Sequence, residues 1–552
     1  MSRFVWSRKV SQERFPLPVS PLGWSLLQKP LEVNLDSISS LLGFRRFDPE
    51  QVVTRIGCYV YTREPFFEKS LRPPVRVSRA LSWLFAFTKD FFAVCLRDPS
   101  LFWRFPLHLF QVLRKTAPIC GSSPHDPIFQ LVLRILEKRL LPSGDLILKR
   151  WEIECAESVT EMRKSLLQVR ALPSDVPIEA LKALTEKLEA KTLKFMELDF
   201  AIYFMKKLDH GILRPFFATL SGELTDATLI SQSLGLEGNI TETSKDRVRE
   251  QPSGRRLDFA RAEVGHLTDN WDVISPVLGE SEPLLQMYVS NASESRWKDR
   301  FLALKLERET RSRELFARAA ARGADVRAIA VGQAVLRQFQ GFILADEEHR
   351  FHASQQFPAV RALFSNIGKH LASKGVLQSP EDLYFLFLDE VFEAVREPDS
   401  AKGVQEKVFA RKAEWRTALD SSPAVRLDPR TLMPLEAPSK ALSPSSSLQG
   451  VAGSPGQAAG PVFWASSASD LLSLKGGEVV FCATPHPAYV PFYGKMAALV
   501  CETGGILSHA ILSAREWDLP ALVNVPSLKG WAENGEVVTV DATQGLLQKK
   551  KD

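Results

Sequence analysis

Read for apolar periodicity, the chain changes character at about residue 435. From about 127 to 420, apolar residues recur every three or four positions, the period of helices that bury one face. The run "VPIEALKALTEKLEAKTLKFMELDFAIYFMKKL" is typical, with Asp175 placed as an N-cap and Pro177 just inside the first turn. Residues 300–377 predict several long helices, and no repeat recurs at a fixed period. The stretch "LEAPSKALSPSSSLQGVAGSPGQAAG", Leu435 to Gly460, is too rich in Pro, Ser, Ala and Gly to bury a core and predicts a linker running into a turn. Beyond it the pattern becomes short and alternating: "GPVFWA", "GEVVFCA", "AALVCE", "PALVNV" and "GEVVTVDA" predict five strands, with one helix at about 508–517. The expected fold class is multidomain: a large, mostly α-helical body over 1–434, a flexible linker over 435–449 and a C-terminal α/β domain over 450–548.

Composition narrows the class of protein. At 552 residues the chain is too long for one compact core, and 45% hydrophobic with 24% charged residues is the balance of a globular protein. A net charge of +5, spread over 70 basic and 65 acidic side chains, is too mild to imply nucleic acid or a membrane surface as partner. The N-terminal "MSRFVWSRKVSQERFPLPVSPLGW" has no apolar core of a secretory signal, so a cytoplasmic location is expected. The apolar segment Ala80–Leu113 is interrupted by Lys89, Asp90, Arg97, Asp98, Pro99, Arg104 and Pro106, short of the roughly 20 apolar residues of a membrane span. It predicts aromatic-rich amphipathic helices, either packed as core or lining a groove for a bulky acceptor. The six cysteines, Cys58, Cys95, Cys120, Cys155, Cys482 and Cys501, are scattered without ligand spacing, so neither a metal site nor a disulfide framework is expected. Gly450, Gly453, Gly456 and Gly460 have no strand–helix context and are not a dinucleotide-binding fingerprint.

Candidate chemistry lies in "CETGGILSHAILSAREWDLPALVNV", Cys501 to Val525. Gly504 and Gly505 allow a sharp turn after a strand, and Ser508 is an N-cap residue for the helix that follows. His509 then falls in the first helical turn, where unpaired N–H groups and the dipole favour an anion. A neutral imidazole there is a usable nucleophile, and its phosphorylated form would set its charge against those N–H groups. From the residues alone, a structurally satisfied histidine at a helix start remains an equal alternative.

The segment "GGILSHAILSAREWDLPAL" resembles the phosphohistidine motif of the phosphoenolpyruvate-utilising enzymes. "GVAGSPGQAAGPV", "GEVVFCATPHPAYVPFYGKMAALV" and "NGEVVTVDATQG" follow that family's mobile domain in order and spacing. In the body, "SPLGWSLL" (Ser20–Leu27), "GLEGNITET" (Gly235–Thr243), "VGHLTDNWDVISP" (Val264–Pro276) and "LASKGVLQSPEDLYFLFLDEV" (Leu371–Val391) resemble the central region of its phosphoenolpyruvate synthase and rifampicin phosphotransferase members. The resemblance implies a swivelling domain that carries phosphate on His509 to a small-molecule acceptor, with Gly504, Gly505 and Ser508 forming the loop around the phosphate. Arg515 is expected to be a structural partner of Glu516 or of a neighbouring loop.

The pattern is incomplete. The chain opens where the family's ATP-grasp domain would end, and no Walker-type motif replaces it. The resemblance therefore implies Mg2+ and ATP bound on a separate ATP-grasp protein that acts in trans. Where the family has Arg-Glu-x-x-Lys/Arg, this chain has "DEEHR": Glu347 and Arg350 stand, the latter as a phosphate contact, but Asp346 replaces the first Arg. The family's Gly-His-Arg appears as Gly265-His266-Leu267, leaving His266 as a base for an acceptor hydroxyl or as a structural histidine. The expected function is a histidine-mediated phosphotransferase charged by its partner. The alternatives are a binding or regulatory homologue without turnover, and phosphotransfer linked to phosphoenolpyruvate itself.

Overall fold

The computed structural model describes residues 5–8, 11, 15–29, 31, 45–46, 53–64, 71–72, 123–170, 178–196, 199–222, 230–268, 270–293, 296–398, 403–420, 423–435, 446–506 and 508–550. The expected segment Ala80–Leu113, Asp175, Pro177 and most of the expected linker lie outside them.

The body's helices are α1 (21–29), α2 (Pro127–Ile135), α3 (Leu141–Arg170), α4 (Ile178–Met196), α5 (Asp199–Ser221), α6 (Ile240–Glu250), α7 (Arg256–Val264), α8 (Glu282–Ser293), α9 (Arg296–Ala321), α10 (Val326–Ala353), α11 (Gln356–Ser373), α12 (Leu388–Arg396) and α13 (Val404–Asp420). Helix α10 is the spine. Asp325 caps its start by accepting the Ala328 N–H at 2.7 Å. Its Val331, Val335 and Phe339 pack with Phe216, Phe217 and Leu220 of α5, while Phe342 and Ala345 join Trp151 and Cys155 of α3 in a second cluster. Each large apolar side chain so buried contributes about 1.5–3 kcal/mol. Val326–Ser373 is apolar enough by composition to cross a membrane, but a break at Ser354 and Gln355 divides it, and 56% of its most apolar window is buried inside the protein. Burial of that kind marks core helices.

The body also holds a small sheet that the helical pattern did not predict. Strands β1 (Val5–Ser7), β2 (Val53–Ile56), β3 (Tyr59–Glu64) and β4 (Arg426–Leu427) pair antiparallel in the order β2-β3-β1-β4. Tyr59 donates its hydroxyl to the Ala418 carbonyl of α13 at 2.6 Å, so the two ends of the body close on each other. Two of the family-like motifs meet nearby. Asp272 accepts the Ser20 N–H at 2.5 Å and the Ser20 hydroxyl at 2.7 Å, fixing the start of α1. A Cβ at Gly23 would stand 1.8 Å from Asp272 Oδ1, so only glycine fits against this knot.

The C-terminal unit is an eight-stranded sheet: β5 (Ser447–Gln449), β6 (Val451–Ser454), β7 (Gln457–Trp464), β8 (Glu478–Cys482), β9 (Met496–Cys501), β10 (Ala521–Val523), β11 (Val537–Asp541) and β12 (Leu546–Lys549). Its order is β5-β12-β11-β7-β8-β9-β10-β6. The centre, β7 to β10, is parallel, and its strands read as unbroken apolar runs because both faces are covered. Val480, Leu499 and Ala521 pack on one face with helix α14 (His509–Glu516), and Val479, Phe481 and Val500 face the other core. All five expected strands are present, as β7 to β11. Strand β5 lies inside the expected linker, and β6 and β12 were unforeseen. Gly460 serves close strand approach, since a Cβ there would stand 2.2 Å from the Gly477 carbonyl oxygen.

Candidate functional site between the body and the C-terminal domain

The glycine loop leaves the C-terminal end of β9, at the centre of the parallel sheet, the usual exit for ligand-binding loops in such sheets. Thr503 N–H donates to the Ala483 carbonyl at 3.0 Å, and the hydroxyls of Thr503 and Thr484 bond at 2.8 Å, extending the β8–β9 pairing into the loop. Gly504 has φ +145, and a Cβ there would lie 2.9 Å from Pro485 and 3.1 Å from Val523. Asn524 donates to the Gly504 carbonyl at 2.9 Å. From below, buried Arg515 donates to the Ile506 carbonyl at 2.8 Å, and burial lowers its pKa to about 10. Arg515 is thus the partner of a neighbouring loop, and the loop is held from both sides.

Ser508 occupies the N-cap position with ψ 148, and its carbonyl accepts from Ile511 at 3.0 Å and Leu512 at 2.9 Å. Its hydroxyl makes no cap bond and, among the described residues, has no partner although it is buried. His509 is the first residue of α14, and Gly505 accepts from the Ser508 N–H at 3.0 Å. The loop, the N-cap and position 509 therefore form one compact turn at a helix start.

Helix α14 is docked on the body. Positions 509, 512 and 516 share one stripe of the helix by its period. Leu512 packs with Leu234 and Leu304 of the body. Half-buried Glu516 faces Glu242, Glu347 and Lys245; burial and then the two acids push its pKa well above the usual carboxylate value, with Lys245 opposing them. Lys245 is itself buried, pairs with Glu242 at 2.8 Å and lies 5.6 Å from the Trp517 ring centre. Arg300–Asp518 at 2.8 Å, the bond from Asn291 Nδ2 to the Pro491 carbonyl at 3.3 Å and Leu284 within the C-terminal core complete the contact.

A cavity of about 140 Å³ lies across this boundary, with Glu347, Arg350, Lys245 and Trp271 from the body and His486 and Phe492 from the C-terminal domain among its walls. That is close to the volume that holds one benzene-sized ring. Asn239, the N-cap of α6, accepts from Thr241 N–H at 2.9 Å and donates to Glu347, which fixes the carboxylate in the cleft. Asp346 bonds to Lys206, and Arg350 Nε lies 3.3 Å from the same Asp346 oxygen. The substituted position therefore draws on two of the local cations.

Of the expected site residues, the structure brings Glu347 and Arg350 to this cleft. It places His266 elsewhere: its ring lines a wider cavity of about 1150 Å³ formed by body residues alone, and Nε2 donates to the Phe351 carbonyl at 2.9 Å. Burial lowers the His266 pKa to about 3, with His352 adding to the effect and the carbonyl bond opposing it. Leu267 lines the boundary cleft. Sequence reasoning passed over His486, which caps the turn Pro487–Lys495 by accepting the Ala488 N–H at 3.2 Å on Nδ1. Its signal was present in "TPHPAY", a histidine before a proline-started helical turn.

Residues 474–545 match the family described as PEP-utilising enzyme, mobile domain. An uncharacterised phosphotransferase of Bacillus subtilis, YvkC, is 31% identical over 211 residues, covering 36% of this chain and 25% of that protein. The rifampicin phosphotransferase of the same organism is 25% identical over 215 residues, covering 39% and 24%. A probable phosphoenolpyruvate synthase of Pyrococcus abyssi is 36% identical over 102 residues, covering 18% and 12%. The matched part thus spans no more than about a quarter of these relatives. The domain match, the glycine loop with its Ser508–His509 helix start and the names of these relatives converge on the C-terminal region, whose residues 474–545 are similar to the mobile domain of the PEP-utilising enzymes.

Proposed function

We propose that this protein is a phosphotransferase in which His509 carries phosphate to a small hydroxyl-bearing acceptor in the cleft between body and mobile domain. The carrying observation is the glycine loop and Ser508–His509 start of α14, a helix whose other end, Glu516 and Trp517, meets Glu347 and Lys245 of the cleft. In the transfer, the N–P bond to His509 breaks, a P–O bond to the acceptor forms and the acceptor hydroxyl loses its proton. The N–H groups of the first turn and the unused Ser508 hydroxyl hold the phosphate oxygens before transfer, and the cations of the cleft meet them afterwards. Glu347 and His486 line that cleft and are better placed than His266 to take the proton.

Phosphate reaches His509 from ATP with Mg2+, bound on a separate ATP-grasp protein, and the mobile domain swings between the two sites. The donor groups gathered in the described part of this chain do not fit magnesium: the cluster of Cys155, Glu348 and His352 offers sulfur and nitrogen where Mg2+ prefers an oxygen octahedron. A second reading, a homologue that binds without turnover, is favoured by Asp346, which engages Arg350 and Lys206.

The test is incorporation of label from ATP labelled at the β or γ phosphate, in extract of the native host, with wild type and His509→Ala. Acid-labile label on the wild type alone is expected. Folded wild-type protein that takes no label from ATP or from phosphoenolpyruvate would overturn the carrier reading in favour of the second.

A further inference from the structure

On the far side of α10 from the cleft, α3 and α10 cross and bring together side chains almost two hundred positions apart in sequence. Cys155 lies one turn after Trp151 on α3, and Glu348 and His352 lie one turn apart on α10. The Cys155 sulfur, a Glu348 carboxylate oxygen and a His352 ring nitrogen all fall within 4.8 Å of one another. We propose that these three residues form a site for a zinc-class divalent metal, with water as the fourth ligand.

The donor set suits such an ion: a thiolate, an imidazole and a carboxylate are zinc's usual ligands, and two negative ligands balance its charge. In a tetrahedral site with metal bonds of about 2.0–2.3 Å, ligand atoms stand roughly 3.5 Å apart. The present spacing reaches that with small side-chain rotations. Cys155 is buried and Glu348 is half-buried, so one side remains for entry and for the water.

The surroundings are those of a supported metal site. Trp151 Nε1 donates to Glu348 Oε2 at 2.9 Å, which orients the carboxylate. Gln355 lies 3.0 Å from His352 Nδ1, so Nε2 is the ring atom left for a metal. The buried Gln355 Oε1 has no partner among the described residues. Exchanging the amide oxygen and nitrogen would set that oxygen on an Nδ1–H and fix the tautomer with its lone pair on Nε2. The metal would pin α10 to α3 directly behind Glu347 and Arg350, a structural role that does not depend on phosphotransfer.

The full chain, stripped with a chelator under reducing conditions, is titrated with Co(II) and then with Zn(II). One equivalent of Co(II) with a sulfur-to-cobalt charge-transfer band, displaced by Zn(II), is expected. Cys155→Ala removes the band, and His352→Ala weakens binding by about tenfold or more. Cys58→Ala retains both, and circular dichroism checks that each variant is folded. A wild-type chain without the band, or a band that survives in folded Cys155→Ala, overturns the proposal.

Discussion

At the scale of single residues, Gly504 and Glu516 make the site's demands measurable. Gly504 adopts φ +145 with Pro485 and Val523 against its open side. Gly504→Ala must strain the backbone and push on a proline ring, so chemical denaturation is expected to find about 1–3 kcal/mol lost. Unchanged stability would mean that the loop is not held as described. Glu516 gives the pH dependence. Burial first, and then Glu242 and Glu347, raise its pKa, so docking favours the protonated form; that stabilisation is whole below the ordinary carboxylate pKa and is lost as pH rises through the raised value. Glu516→Gln should therefore raise the melting temperature at pH 8 and change it little at pH 4. An identical pH profile for both proteins would remove Glu516 from the account. The sequence made position 509 and its loop legible because glycines, an N-cap residue and a histidine fall in one short local pattern. It could not show Glu516 facing Glu242 and Glu347, because that meeting depends on long-range packing.

At the scale of elements, the same division holds. The parallel strands β8 and β9 were readable because burial on both faces leaves an unbroken apolar run. The sheet β1–β4 was not, since strands of two to six residues carry too little pattern and their partners are far apart. Ser20 and Asp272, each in a family-like segment, form a helix-start clamp that only long-range packing reveals, with Asp272 buried and its pKa raised by that burial. Arg515 is the element-level counterpart at the site, joining the end of α14 to the loop before it. Removing it leaves the Ile506 carbonyl without its donor, an expected cost of about 1–3 kcal/mol. Arg515→Met should keep the apolar stem yet lose phosphate incorporation at position 509. Incorporation at the wild-type rate, in a variant destabilised as expected, would show that the loop needs no brace from below.

At the scale of the whole molecule, the proposed carrier role requires the C-terminal domain to leave the body as readily as it docks. The contact seen here is suited to that. The ion pair Arg300–Asp518 is half-buried on the arginine side, exposed on the aspartate side and worth about 0–1 kcal/mol. The apolar part of the contact near the loop is the trio Leu234, Leu304 and Leu512, while Glu516 works against docking at neutral pH. Leu304→Asp would set an unpaired carboxylate between two leucines in the docked state and in water in the released state. The substitution should therefore shift the population toward release, seen as a larger radius of gyration by small-angle scattering at neutral pH. If His509 is charged away from the body and discharged at the cleft, labelling at position 509 should rise as the acceptor step slows. Release without any change in labelling would separate docking from phosphate traffic. An unchanged radius with a folded variant would mean that the two units are held together by more than this interface.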